Sequence, residues 1–151
     1  MVPVGLLWLP LLIWMGLIFF LSAQPHVPGP PQPLLDLILK KGSHIAGYGV
    51  LAALWTRALV GSFARQEIER RGNGDGGCLS VFGANARFLL IAWVVTVLYA
   101  ISDEYHQGFV PGRHPGLADV VIDGLGAAAA LLFGRQFIAR YGLGNRDGDT
   151  P

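Results

Sequence analysis

Charge is scarce in this chain. Only 14% of its 151 residues are Asp, Glu, Lys or Arg, where a soluble domain carries roughly a quarter. With 52% hydrophobic residues, that shortage excludes an ordinary soluble domain and leaves one compact, membrane-embedded unit. Cysteine is scarcer still. Cys78 is the single thiol, so no intramolecular disulfide forms, and its glycine-rich surroundings make it an incidental loop residue. The net charge is +1, and no basic stripe with interleaved aromatics is present, so nucleic acid is not an expected partner. The spacing of His, Cys and carboxylates matches no zinc motif, and no metal or other cofactor is implied. No internal repeat is visible.

What the chain does have is apolar length. Val2 to Leu21 runs without a charge, about the 20 residues needed to cross the hydrocarbon core. A cleaved signal peptide is the rival, with Leu21-Ser22-Ala23 as its cleavage site. The run is long for that role, and no Lys or Arg precedes it. Further segments are expected from Ser43 to Val60, from Phe88 to Ile101 and from Leu117 to Phe137. The polar end of the third, Ser102 to Glu104, is expected to continue its helix into the headgroup region. The fold class that follows is all-α, an integral membrane bundle of four transmembrane helices. Residues 1–141 form one domain and 142–151 a polar tail. Gln24 to Pro33 holds five prolines (Pro25, Pro28, Pro30, Pro31, Pro33) and is expected to be an extended loop. Arg65 to Gly77 reads as a solvated loop.

Basic residues set the orientation. Arg57, Arg65, Arg70, Arg71, Arg87, Arg135, Arg140 and Arg146 fall on one side, eight of the eleven Lys and Arg. That side is expected to be cytoplasmic, with both termini. Lys40, Lys41 and Arg113 fall in the first and third loops, on the outer side.

The scarce charges gather there. Ser102 to Asp123 holds Asp103, Glu104, His106, Arg113, His114, Asp119 and Asp123 between two apolar runs. Ionisable groups at a membrane boundary are costly unless paired, hydrated or functional, so this is the first place to look for a site. His44 and Tyr48 share a helix face at four-residue spacing, as do Asp103 and Gln107, and Asp119 and Asp123. Lys41, His44, Tyr48, Asp103, Glu104, Gln107, Arg113, Asp119 and Asp123 are therefore the candidate ligand-binding residues. Lys41, Glu104, Arg113 and Asp119 are expected to form one charge-balanced cluster with His44 and Gln107. Asp123, deeper, is expected to carry a proton or to accept a hydrogen bond from Tyr48 or water. Each group also has a plain structural reading: Asp119 suits a helix start, Lys41 snorkels, and His44 packs. Gly126, Ala130 and Gly134 form a small-residue stripe for close helix contact. Leu is expected to harm Ala130 more than Ala127 or Ala128. The four tryptophans read as boundary or packing residues.

These residues resemble the VanZ-like family of small integral membrane proteins. The resemblance rests on Lys41-x-x-His44-x-x-x-Tyr48-x-x-Leu51, on Ser102-Asp103-Glu104-x-x-Gln107-x-Phe109-x-Pro111-x-Arg113, and on Asp119 with Asp123, Gly124 and Gly126. It covers roughly Leu12 to Gly134. The family pattern usually has Asn where this chain has Asp123, which adds a buried acid to be neutralised. The resemblance implies a multi-pass protein of the bacterial cytoplasmic membrane, linked to glycopeptide (teicoplanin) susceptibility. It implies no agreed cofactor or catalytic residue.

Three functions compete. The first is an outward polar pocket for an anionic, lipid-like or lipid-linked envelope ligand, with Lys41, His44 and Arg113 as donors. The second is an intramembrane acid–base or metal-assisted hydrolase acting on an envelope precursor through Asp103, Glu104, His44, His106 and Asp119. The third is a non-catalytic helical module that uses its small-residue faces to form an oligomer or to bind another membrane protein.

Overall fold

Each apolar run folds as a helix. A computed structural model of the chain describes residues 4–25, 32–71, 86–113 and 115–141. Among these the helices are α1 (Val4–Ser22), α2 (Pro33–Arg71), α3 (Ala86–Gln107) and α4 (Leu117–Tyr141), with no strand. All four are long and apolar enough to cross a membrane, so the all-α, four-span architecture is the one the sequence implies. Cys78, His114, the prolines from Pro28 to Pro31 and the polar tail lie outside the described residues.

α2 is longer than its hydropathy suggests at both ends, starting at Pro33 instead of Ser43 and ending at Arg71 instead of Val60. Proline fits the first helical position, where its missing N–H is not needed. No proline follows it, and Leu, Ala, Arg, Gln and Glu at the far end all favour helix. At 1.5 Å per residue its 39 residues measure about 58 Å, well beyond the ~30 Å of a hydrocarbon core. Lys40 and Lys41 therefore sit on α2 itself, not in the first loop. Likewise, the loop expected from Arg65 begins only beyond Arg71. α3 continues through the polar residues to Gln107, as expected.

α2 is the hub and contacts the other three helices; among the described residues α1 and α4 do not touch. One core cluster joins Leu11, Tyr48, Leu51, Ala58 and Ala100, and a second joins Ala52, Ala127 and Leu131. Indole N–H groups tie the helices at several levels. Trp8 donates to Ser62 Oγ at 3.0 Å, Trp14 to the Gly47 carbonyl at 2.9 Å and Trp93 to the Gly124 carbonyl at 2.9 Å. Tyr99 donates to the Met15 carbonyl at 2.7 Å.

α2 and α4 approach most closely where small residues meet. A Cβ built on Gly126 would lie 2.8 Å from the Ile45 carbonyl oxygen, and one on Gly49 would lie 3.1 Å from Ala130 Cβ. Gly126 and Ala130 thus face α2. The stripe misjudges Ala127, however. It is fully buried against Ala52 and Leu131, so it is no more tolerant than Ala130; Ala129 is the exposed position.

Gly126→Ala is expected to lower bundle stability by about 1–3 kcal/mol, because backbone cannot yield to the added methyl. Gly42→Ala, with nothing within 4 Å of the new Cβ, should be neutral or slightly stabilising. Thermal unfolding in detergent micelles reads the difference; equal melting of the two variants would contradict the close approach.

Candidate functional site

The antiparallel bundle brings four polar helix ends to one level: Ser22 of α1, Lys41 to Tyr48 of α2, Asp103 to Gln107 of α3 and Asp119 to Asp123 of α4. Asp103 lies at the centre, 3% exposed. Its Oδ2 accepts hydrogen bonds from Ser22 Oγ at 2.8 Å, Tyr48 OH at 3.0 Å and Gln107 Nε2 at 3.0 Å. Three donors from three helices converge because Gln107 is one turn beyond Asp103 and Tyr48 crosses from the neighbouring helix. A buried carboxylate without such donors would be costly in lipid.

The other acids are held separately. His44 Nδ1 lies 3.5 Å from Asp123 Oδ2 and 3.4 Å from its Oδ1, and Asp123 is 1% exposed. Tyr48, the donor the sequence suggests for Asp123, instead turns to Asp103, while its ring stacks beside that of His44. Lys41 pairs with Asp119. Glu104, 7% exposed, accepts from the Gly116 backbone N–H at 2.9 Å. It thereby fixes the loop that leads into α4.

Arg113 does not join an acid. Its Nε donates to the Gln24 carbonyl at 3.2 Å and its Nη2 to the Leu21 carbonyl at 3.4 Å. The local sequence explains this. Val110-Pro111-Gly112-Arg113 closes a turn with the Arg113 N–H on the Val110 carbonyl at 3.2 Å. Pro111 supplies the fixed φ, and Gly112 takes φ +82°, the combination a type II turn requires. The turn aims Arg113 back at the C-terminal end of α1, whose last turn has no basic residue of its own. A cation there complements the helix dipole and its unpaired carbonyls. The single charge-balanced cluster expected from the sequence is thus divided into a Lys41–Asp119 pair, a Glu104–loop contact and an Arg113 cap, because each group has a nearer backbone or side-chain partner.

Beside this junction a cleft of about 430 Å³ opens between α1 and α2. Trp14, Leu17, Ile18, Leu21 and Val50 supply its apolar walls. Ser22, Lys40, Ser43, His44, Tyr48 and Arg113 line its polar part, and no acidic side chain is among the lining residues described.

Two of these residues escape sequence reasoning. Ser22 reads there only as part of a cleavage site, and Lys40 only as a topology charge. The available signal for Ser22 is its place as the first polar side chain after the uncharged run, at the level of His44 and Asp103. His106, a candidate acid–base group, stacks on Phe19 with ring centroids 4.3 Å apart, away from the Asp103 donors. Among the described residues no three His, Cys, Asp or Glu side chains converge as metal ligands.

The family pattern described as VanZ/LLP1 matches residues 7–138, which includes all four helices and every residue of the junction. No curated protein and no solved structure matches the chain.

Tyr48→Phe is expected to cost about 1–3 kcal/mol, because it removes a donor from a buried carboxylate. Lys41→Met breaks a pair whose side chains are 40% and 31% exposed, and should cost under about 1 kcal/mol. Chemical unfolding of the two variants gives the order. A larger loss at Lys41 would contradict the central place of Asp103.

Proposed function

The chain belongs to the VanZ/LLP1 family, and we propose that its α1–α2 cleft holds an anionic, lipid-like molecule of the bacterial cell envelope. One observation carries this reading: apolar walls lead to a polar end lined by Lys40, His44 and Arg113, with no acid on the described lining. Trp14, Leu17, Ile18 and Leu21 suit a hydrocarbon tail, which costs little to place beside lipid-facing helices. A guanidinium, an ammonium and an imidazole suit a phosphate or carboxylate head. Arg113 keeps donor capacity for such a head, since a guanidinium carries five N–H groups and two contacts reach the α1 carbonyls. By holding an envelope lipid or lipid-linked precursor at the outer face, the protein would alter how glycopeptides such as teicoplanin reach their target.

The test is selectivity in a purified sample. Native mass spectrometry from mixed micelles should show short-chain phosphatidylglycerol retained over the matching phosphatidylcholine by about tenfold, equivalent to about 1.4 kcal/mol. Arg113→Ala should lose that preference. Gly112→Val should lose it too, with no change of charge, because a β-branched residue strains at φ +82° and misdirects Arg113. Equal retention of the two lipids by the wild type would contradict the reading. In cells, Arg113→Ala at normal membrane levels should abolish any change in teicoplanin susceptibility.

The same reading places the polar junction outside and the arginine-rich ends in the cytoplasm. A membrane-impermeant thiol reagent added to intact cells should label Cys introduced at Phe109, which is 70% exposed beside the junction, and should miss Cys78. Labelling of Cys78 alone would reverse the orientation.

A further inference from the structure

We infer that Asp103 is a proton-binding site linked to the α1–α2 cleft, so that the cleft takes its anionic ligand together with a proton. The inference rests on the cleft reading above for its ligand, and on the geometry of Asp103 for its proton.

The three donors to Asp103 are a hydroxyl, a phenol and an amide, all neutral, and all reach the same oxygen, Oδ2. The other oxygen, Oδ1, is buried with no hydrogen-bond partner. An ionised carboxylate divides its charge between both oxygens. Leaving one of them buried and bare costs more than leaving a neutral O–H bare. The lopsided arrangement therefore suits a carboxylic acid whose Oδ2 accepts three hydrogen bonds and whose Oδ1 bears the proton. The groups within electrostatic reach are Tyr48 and His44 from α2, Tyr99 on its own helix and Asp123 from α4. Glu104 adjoins it in sequence, and α1 contributes the neutral Ser22. Lys41 is occupied by Asp119, and Arg113 by the end of α1.

The link to the cleft is made by shared side chains. Ser22 and Tyr48 donate to Asp103 and also line the cleft, as does His44, the partner of Asp123. An anion that engages those hydroxyls withdraws donors from Asp103 and adds a negative charge beside it. Both effects favour the protonated carboxyl. The reaction is proton association alone: Oδ1 gains a proton from the aqueous boundary and loses it when the ligand leaves. Linkage is reciprocal, so protonation tightens anion binding by the factor by which the anion favours protonation.

The experiment follows the affinity of short-chain phosphatidylglycerol for the full-length protein in micelles across a pH series. The wild type should bind more tightly as pH falls, by up to about tenfold per pH unit for one linked proton. His44 also gains charge in this direction, so the deciding variant is His44→Gln. It should retain a clear slope, and Asp103→Asn in that background should be flat and tight at every pH, because Asn imitates the neutral acid. A flat profile for His44→Gln alone would overturn the inference, whether or not the Asp103 variant folds. Infrared difference spectra without added lipid separate the two readings. The carbonyl stretch of a buried protonated carboxyl should be present in wild type and lost in Asp103→Asn. Its presence without lipid binding at any pH would sink the cleft and keep the proton site; its absence from wild type would sink the proton site.

Discussion

A carboxylate cannot be solvated by lipid, and Asp103 lies where lipid-facing helices meet. Its burial is tolerable because α1, α2 and α3 each bring a donor to it: Ser22, Tyr48 and Gln107. In a bundle whose helices gain little hydrophobic energy from leaving lipid for one another, such interhelical hydrogen bonds and close small-residue packing decide which faces meet. The Asp103 junction fixes α1 at its polar end. Trp8 and Trp14 hold it along the rest of its length, and Gly126 against Ile45 brings α4 to the other flank of α2.

The cleft follows from the same arrangement. α1 is tethered to α2 at discrete points, with Trp14 on the Gly47 carbonyl and Ser22 reaching Asp103. Between and above those tethers the two helices separate. The Pro111-Gly112 turn then carries Arg113 across to the open end, where it caps α1 and leaves basic character on the rim. One loop therefore serves two purposes, closing the α3–α4 connection and completing the wall of a space whose other walls are apolar.

Much of the architecture was legible in the sequence. Four apolar runs gave four helices, and four-residue spacings placed His44 with Tyr48, and Asp103 with Gln107, on common faces. The ends of α2 were not legible, since hydropathy reports where a helix enters water and not where it stops. Pro33 as a first-turn residue and the helix-forming run towards Arg71 were the signals that mattered. The residues of the junction were identified by type and side, but their pairing was not. Tyr48 chose Asp103 over Asp123, and Arg113 chose backbone carbonyls over an acid. Such choices depend on ångström-level positions across helices, which sequence spacing does not contain. Ser22 was hidden for a related reason: a lone serine at the end of an apolar run looks like many others until the helix opposite presents a carboxylate.

The most direct measurement is an experimental map of the protein in native lipid. The account predicts elongated density between α1 and α2, beside Trp14, Leu17 and Leu21, ending in a compact head within hydrogen-bonding distance of Lys40, His44 or Arg113. Ser22 and Tyr48 should lie between that head and Asp103. A map in which α1 closes onto α2 and fills the space with side chains, or in which Arg113 turns to bulk water with no head group near it, would contradict the account.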